Sequence, residues 1–126
     1  NYPDHETILR QFVRFSFNLH ENGIEFLDHT PGNTLIKKNG EGNYNFFLVD
    51  LNRMQFHKSM TLKQRIVNLS KLTPKRELVE VMSDEYAKLY GRPYEEVLQM
   101  MIVETESFRN RFHRKKRLKK KLFFWK

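Results

Sequence analysis

An aspartate at 28, a side-chain amide at 33 and a second aspartate at 50 form a set of polar groups suited to catalysis. They lie in Asp28-His29-Thr30-Pro31-Gly32-Asn33, followed by Thr34-Leu35-Ile36, a Gly-rich turn and Phe46-Phe47-Leu48-Val49-Asp50-Leu51-Asn52. Phosphoryl transfer uses such a set. One carboxylate takes or orients the proton of the attacking hydroxyl, while an amide and a second carboxylate hold Mg²⁺ on the nucleotide phosphates. D-x-x-x-x-N alone occurs often by chance, and Asp28 and Asn33 would equally well satisfy backbone groups of a turn. Asp50, ordered after them with a hairpin between, makes the combination more specific. His29 takes the position after Asp28 and is assigned at most a substrate contact. Arg53 either neutralises a carboxylate of the site, contacts a sugar-acid substrate, or forms a structural ion pair.

Short elements would carry this set. Asp4 can cap a helix running to about Asn22, with Gly23 as its left-handed stop. Its apolar stripe is Ile8, Leu9, Phe12, Val13, Phe15 and Leu19. His20, at the end of that helix, reads as facing polar neighbours in preference to binding metal. Pro31-Gly32 is turn chemistry, and Thr30 before Pro is biased to extended geometry. Thr34–Lys38 and Tyr44–Val49 read as hairpin arms around Asn39-Gly40-Glu41-Gly42. Tyr44, Phe46, Leu48 and Asp50 share one face of the second arm, Phe47 and Val49 the other, so the ribbon is expected to be sandwiched. Antiparallel pairing brings Asn33 and Asp50 to the same end of it, as a shared metal requires.

From Thr61 the chain is expected to be helical. Leu62, Ile66, Leu69 and Leu72 make a short helix stopped by Thr73-Pro74. Thr73 caps the next helix, with Pro74 at its first position, and Ser83-Asp84 could divide it before Gly91. Arg92-Pro93 starts a last helix with the stripe Val97, Met100, Met101, Phe108 and Phe112, and Met and aromatic residues at this spacing are core residues.

Gly23-Ile24, Asp28-x-Thr30-Pro31-Gly32-Asn33-Thr34-Leu35-Ile36 and Leu48-Val49-Asp50-Leu51-Asn52-Arg53-Met54 resemble the lipopolysaccharide kinases, the Kdo and core-heptose kinases, in the form found in Bacteroides-type bacteria. The resemblance covers roughly Ile8 to Phe112. It implies an α+β, mainly α-helical fold, the C-terminal lobe of a protein-kinase-like architecture with a small hairpin at the catalytic loop. Asp28 would match the catalytic-loop Asp, Asn33 the metal-binding Asn and Asp50 the Asp of the D-F-G element. ATP would be the donor, Mg²⁺ the metal, and a hydroxyl of an inner-core sugar on lipid A the acceptor. The Gly-rich loop and strand Lys of a kinase are not in this stretch and are expected upstream, so this chain alone should be inactive. Phe26 and Leu27 stand where many kinases have the His and Arg of H-R-D, which argues against control by a phosphorylated activation loop. It also keeps in view a pseudokinase or adaptor that docks through the basic tail. Aminoglycoside- and choline-type phosphotransferases share D-x-x-x-x-N and a later Asp.

With 126 residues the chain makes one domain at most. It has no cysteine, which excludes a disulfide scaffold and a thiolate zinc site. No apolar run is long enough to span a bilayer, and no secretory signal pattern opens the chain. The net charge of +8 is uneven: residues 1–108 carry 13 Lys+Arg against 15 Asp+Glu, whereas residues 109–126 carry 10 Lys+Arg and no acid. We therefore divide the chain into a lobe, 1–108, and a basic aromatic tail, 109–126, extending the last helix. Arg109, Arg111, Arg114, Lys115, Lys116, Arg117, Lys119, Lys120 and Lys121 precede Leu122-Phe123-Phe124-Trp125. Such a segment fits an anionic membrane surface, with the rings among the headgroups. Packing of the aromatics on the lobe ranks second and nucleic acid third. A membrane-embedded glycolipid acceptor would place the enzyme in the cytoplasm, peripheral at the inner face of the inner membrane.

Overall fold

The structure is a computed structural model that describes residues 5–27, 34–40, 42–48 and 54–124, the side chains of 34, 112, 113 and 115–124 apart. It is an α+β fold, mainly helical, with two small antiparallel sheets. The element order is α1 (His5–Glu21), β1 (Ile24–Phe26), β2 (Thr34–Lys38), β3 (Tyr44–Leu48), β4 (Met54–Phe56), α2 (Leu62–Leu69), α3 (Arg76–Tyr90) and α4 (Tyr94–Phe124).

The four helices enclose one core. Val13 from α1, Ile66 and Leu69 from α2, Met82 and Tyr86 from α3, and Val97 and Met101 from α4 are all sealed from solvent. Burying each such side chain contributes about 1.5–3 kcal/mol, which is why the apolar spacing read from the sequence decides the helix faces. An ion-pair cluster locks α1 to α3. Arg10 Nη1 lies 2.8 Å from Asp84 and 3.1 Å from Glu85, and Arg14 Nε lies 3.0 Å from Glu85. Hydrogen bonds from Arg10 and Lys88 hold the Asp84 carboxyl below its usual range.

Two helix boundaries differ from the sequence expectation. The cap of α3 is Lys75, not Thr73, whose hydroxyl instead accepts from the Lys75 N–H at 3.2 Å. Pro74 thus precedes the helix. Ser83-Asp84 does not divide α3, because Ser83 is fully buried and its hydroxyl donates to the Val79 carbonyl one turn back. At α2 the cap is a reciprocal box, Gln64 N–H to Thr61 Oγ1 and Thr61 N–H to Gln64 Oε1. Gly91 ends α3 at φ 84°, a left-handed position that glycine adopts without strain.

Gly23, at φ 72°, turns the chain out of α1, and its carbonyl accepts from the His57 N–H at 2.7 Å. A methyl group there would sit 2.0 Å from the His57 carbonyl oxygen, so only glycine lets the end of β4 lie against the end of α1. The strands β1 and β4, which the sequence reading did not anticipate, pair Ile24 with Phe56 and Phe26 with Met54. Three-residue strands are too short to show an alternating pattern.

The hairpin β2–β3 pairs Thr34 with Leu48 and Lys38 with Tyr44. Phe46 packs edge-on against Phe12 (centroids 5.5 Å) and tilted against Phe15 (5.6 Å) of α1. Gln11 clamps the turn: its Oε1 accepts from the Tyr44 N–H at 2.9 Å and its Nε2 donates to the Gly42 carbonyl. The expected sandwich is not formed. The cross-strand neighbours Leu35 and Phe47 on the other face are 60% and 50% exposed, since no helix among the described residues covers them.

Candidate functional site

Asp28, His29, Asn33, Asp50 and Arg53 lie outside the described residues, in the two connections 28–33 and 49–53. The strands that flank these connections are described, and their register is informative. β1 enters the first connection at Phe26 and β4 leaves the second at Met54, and Phe26 and Met54 are paired. The first connection ends at Thr34 and the second begins after Leu48, and those two residues are also paired. The β2–β3 hairpin is therefore nested inside the β1–β4 pair, and both connections bridge the same two sets of paired strand ends.

The exit of β1 is held from the helical layer. Phe26 is 1% exposed, and its carbonyl accepts from Asn68 Nδ2 at 2.9 Å. The next carbonyl, that of Leu27, accepts from Lys71 Nζ at 3.1 Å. Asn68 Oδ1 lies 2.8 Å from His20 Nε2, and His20 Nδ1 lies 2.8 Å from the Tyr86 hydroxyl. His20 faces polar neighbours, as expected, but it does so fully buried between α2 and α3. Burial pushes its pKa down to about 4, with the Arg65 charge adding to the shift and the Asn68 hydrogen bond opposing it, so the ring is neutral at pH 7.

Arg65 supports the same cluster. Its guanidinium donates to Glu21 at 2.7 Å and to the Met60 carbonyl at 2.9 Å, and lies 4.8 Å from the centre of the Tyr90 ring. The sequence reading passed over Arg65, Asn68 and Tyr86 as functional positions. A signal was present: Arg65 and Asn68 fall on or beside the Leu62, Ile66, Leu69 face of α2, and a tyrosine on an apolar stripe needs a partner for its hydroxyl. On the sheet side, His57 Nε2 lies 2.8 Å from Glu25 Oε1, across the β1–β4 pair.

Among the described residues no group of three His, Cys, Asp or Glu side chains could hold a metal. The metal donors expected from the sequence, Asn33 and Asp50, are outside that set. As chemistry they fit Mg²⁺, a hard cation that takes one or two protein oxygens together with phosphate oxygens.

Of the basic residues singled out, Arg109, Arg111 and Arg114 are described, all exposed on α4. The side chains of Lys115, Lys116, Arg117, Lys119, Lys120 and Lys121, and all of Trp125, are outside the described residues. The backbone of α4 is continuous to Phe124, so the basic segment leaves the core as a helix. No described helix is long and apolar enough to cross a membrane. No protein-family model, curated protein or solved structure matches the chain.

Proposed function

We propose that this chain is the catalytic-loop half of a phosphotransferase that moves the γ-phosphoryl group of ATP to a sugar hydroxyl. The observation that carries the reading is the nested strand pairing. It makes the connection with Asp28 and Asn33 and the connection with Asp50 span the same paired strand ends. Asp28 and Asp50, 22 positions apart in sequence, each belong to one of these two connections, which supports the reading. In the reaction Asp28 orients the acceptor hydroxyl and takes its proton as the oxygen attacks the γ-phosphorus. An O–P bond forms, the bond to the β-γ bridging oxygen breaks, and ADP leaves with that electron pair. Asn33 and Asp50 would hold Mg²⁺, which when bound neutralises charge on the phosphates.

The resemblance to lipopolysaccharide kinases makes a Kdo or heptose hydroxyl of a lipid A-linked glycolipid the acceptor. The basic stretch at the end of α4 suits such a substrate, because it would hold the protein at an anionic leaflet, the inner face of the inner membrane. The deciding experiment uses the intact protein, including the part that covers the nucleotide. Asp50→Ala is expected to fold as the wild type does and to lose phosphate transfer. A folded Asp50→Ala protein that still turns over overturns the metal role.

A second reading, a pseudokinase or adaptor that keeps the lobe and docks through its basic tail, is supported by the exposed Arg109, Arg111 and Arg114 of α4. The thermal midpoint with and without ATP and Mg²⁺ separates the two: a Mg²⁺-dependent rise supports the enzyme, and no shift supports the adaptor.

A further inference from the structure

The polar groups buried behind β1 form one directed chain of hydrogen bonds. The Phe26 carbonyl can only accept, so Asn68 offers it the Nδ2 amide and turns Oδ1 toward His20. His20 must then carry its proton on Nε2, which leaves Nδ1 bare to accept from the Tyr86 hydroxyl. The Tyr86 oxygen in turn accepts from Arg65 Nη1 at 3.5 Å, a long contact from a group that cannot lose its charge. Every partner in this chain sets the direction of the next, and α1, α2 and α3 each contribute to it. The chain ends on the last carbonyl of β1. Lys71 takes the following one, so two consecutive carbonyls immediately before Asp28 are held by side chains from the α2 end.

We infer that this chain is a clamp that fixes the exit of β1, the strand end from which the 28–33 connection starts, with His20, Asn68 and Lys71 as positioning residues. Three features of the structure require a clamp here. β1 has three residues and one partner strand, so its own ladder is too short to hold its end. Phe26 is buried, so an unpaired carbonyl would be costly. The helical core behind it is sealed from solvent, and the clamp ties the end of β1 to that packed layer. The link to catalysis rests on the phosphotransferase reading; the clamp itself does not.

The test has a structural arm and a kinetic arm. In the chain as it stands, ¹⁵N spectra should show His20 neutral at pH 7 with its proton on Nε2. Backbone amide exchange near residues 26–28 should quicken in Asn68→Leu and, more mildly, in Lys71→Met, while exchange in the centres of α3 and α4 stays slow. Lys71→Met serves because it leaves the core untouched. In the intact protein both variants should lower kcat by roughly 10- to 100-fold, with KM for ATP little changed. His20→Gln, which keeps a donor and an acceptor, should retain more activity than His20→Phe. Folded variants with unchanged exchange at 26–28, or His20 with its proton on Nδ1, overturn the clamp. An intact wild-type protein that transfers no phosphate sinks the phosphotransferase reading alone, since the exchange arm still reports on the clamp.

Discussion

At the scale of single residues, a histidine at the end of α1 carries the most consequence. Its ring is neutral because the site that holds it is buried and faces the Arg65 charge, and Asn68 and Tyr86 are matched to the neutral form. Unfolding returns the ring to its ordinary pKa of 6.5, whereas in the folded protein it lies near 4. Between those values the unfolded chain binds more protons, so stability is full above pH 6.5 and falls as the pH drops toward 4. The difference corresponds to about 3 kcal/mol. Urea unfolding at pH 7 and at pH 4 should show this loss, and His20→Gln should flatten it. An equal slope in His20→Gln would mean that other groups titrate in this window. Glu21 and Glu25 also face the ring and pull its pKa upward, but less strongly than burial lowers it. Helical spacing made His20 visible as a residue of α1, yet its burial depends on Asn68 and Tyr86, which lie 48 and 66 residues away in the chain.

At the scale of elements, the hairpin is the least supported piece of the fold. It rests on α1 through one face, Phe46 against Phe12 and Phe15, and through the two backbone bonds of Gln11 at its turn. A two-stranded ribbon is marginal by itself, so Gln11→Leu should release its tip before anything else. The expected result is faster amide exchange in residues 34–48 with a loss of about 1 kcal/mol in global stability. A global loss above about 3 kcal/mol would instead place the hairpin in the cooperative core. The arms and turn of this ribbon were legible because alternation and the Asn39–Gly42 turn are local signals. Its exposed face was not, since apolar residues on both faces of a strand do not say which face another element covers. The same reasoning explains β1 and β4. Their partners lie across the whole hairpin, and nothing local in Ile24–Phe26 marks a strand.

At the scale of the whole molecule, charge and core are separate along the chain. Among the described residues, the last fully buried apolar side chain of α4 is Met101 and the last buried residue is Thr105, whereas Arg109, Arg111 and Arg114 are exposed. Ending the chain after Phe108 should therefore leave thermal unfolding almost unchanged and abolish binding to vesicles rich in anionic lipid. With about 1 kcal/mol for each Lys or Arg near such a surface, binding by the whole chain should weaken steeply as salt rises. Equal binding to neutral vesicles, or binding by the shortened chain, would refute the electrostatic tail. Composition and periodicity by themselves determined the mainly helical α+β class, the apolar faces of the helices, the hairpin and the basic end. These follow from interactions between residues close in sequence and from simple counts. The pairing of β1 with β4 around the hairpin, and the meeting of Arg65, Tyr86, His20 and Asn68 behind Phe26, had no local signature and emerged with the folded chain. Those contacts join residues tens of positions apart, and their energy comes from desolvation and hydrogen-bond matching that exist once the helices have closed over them.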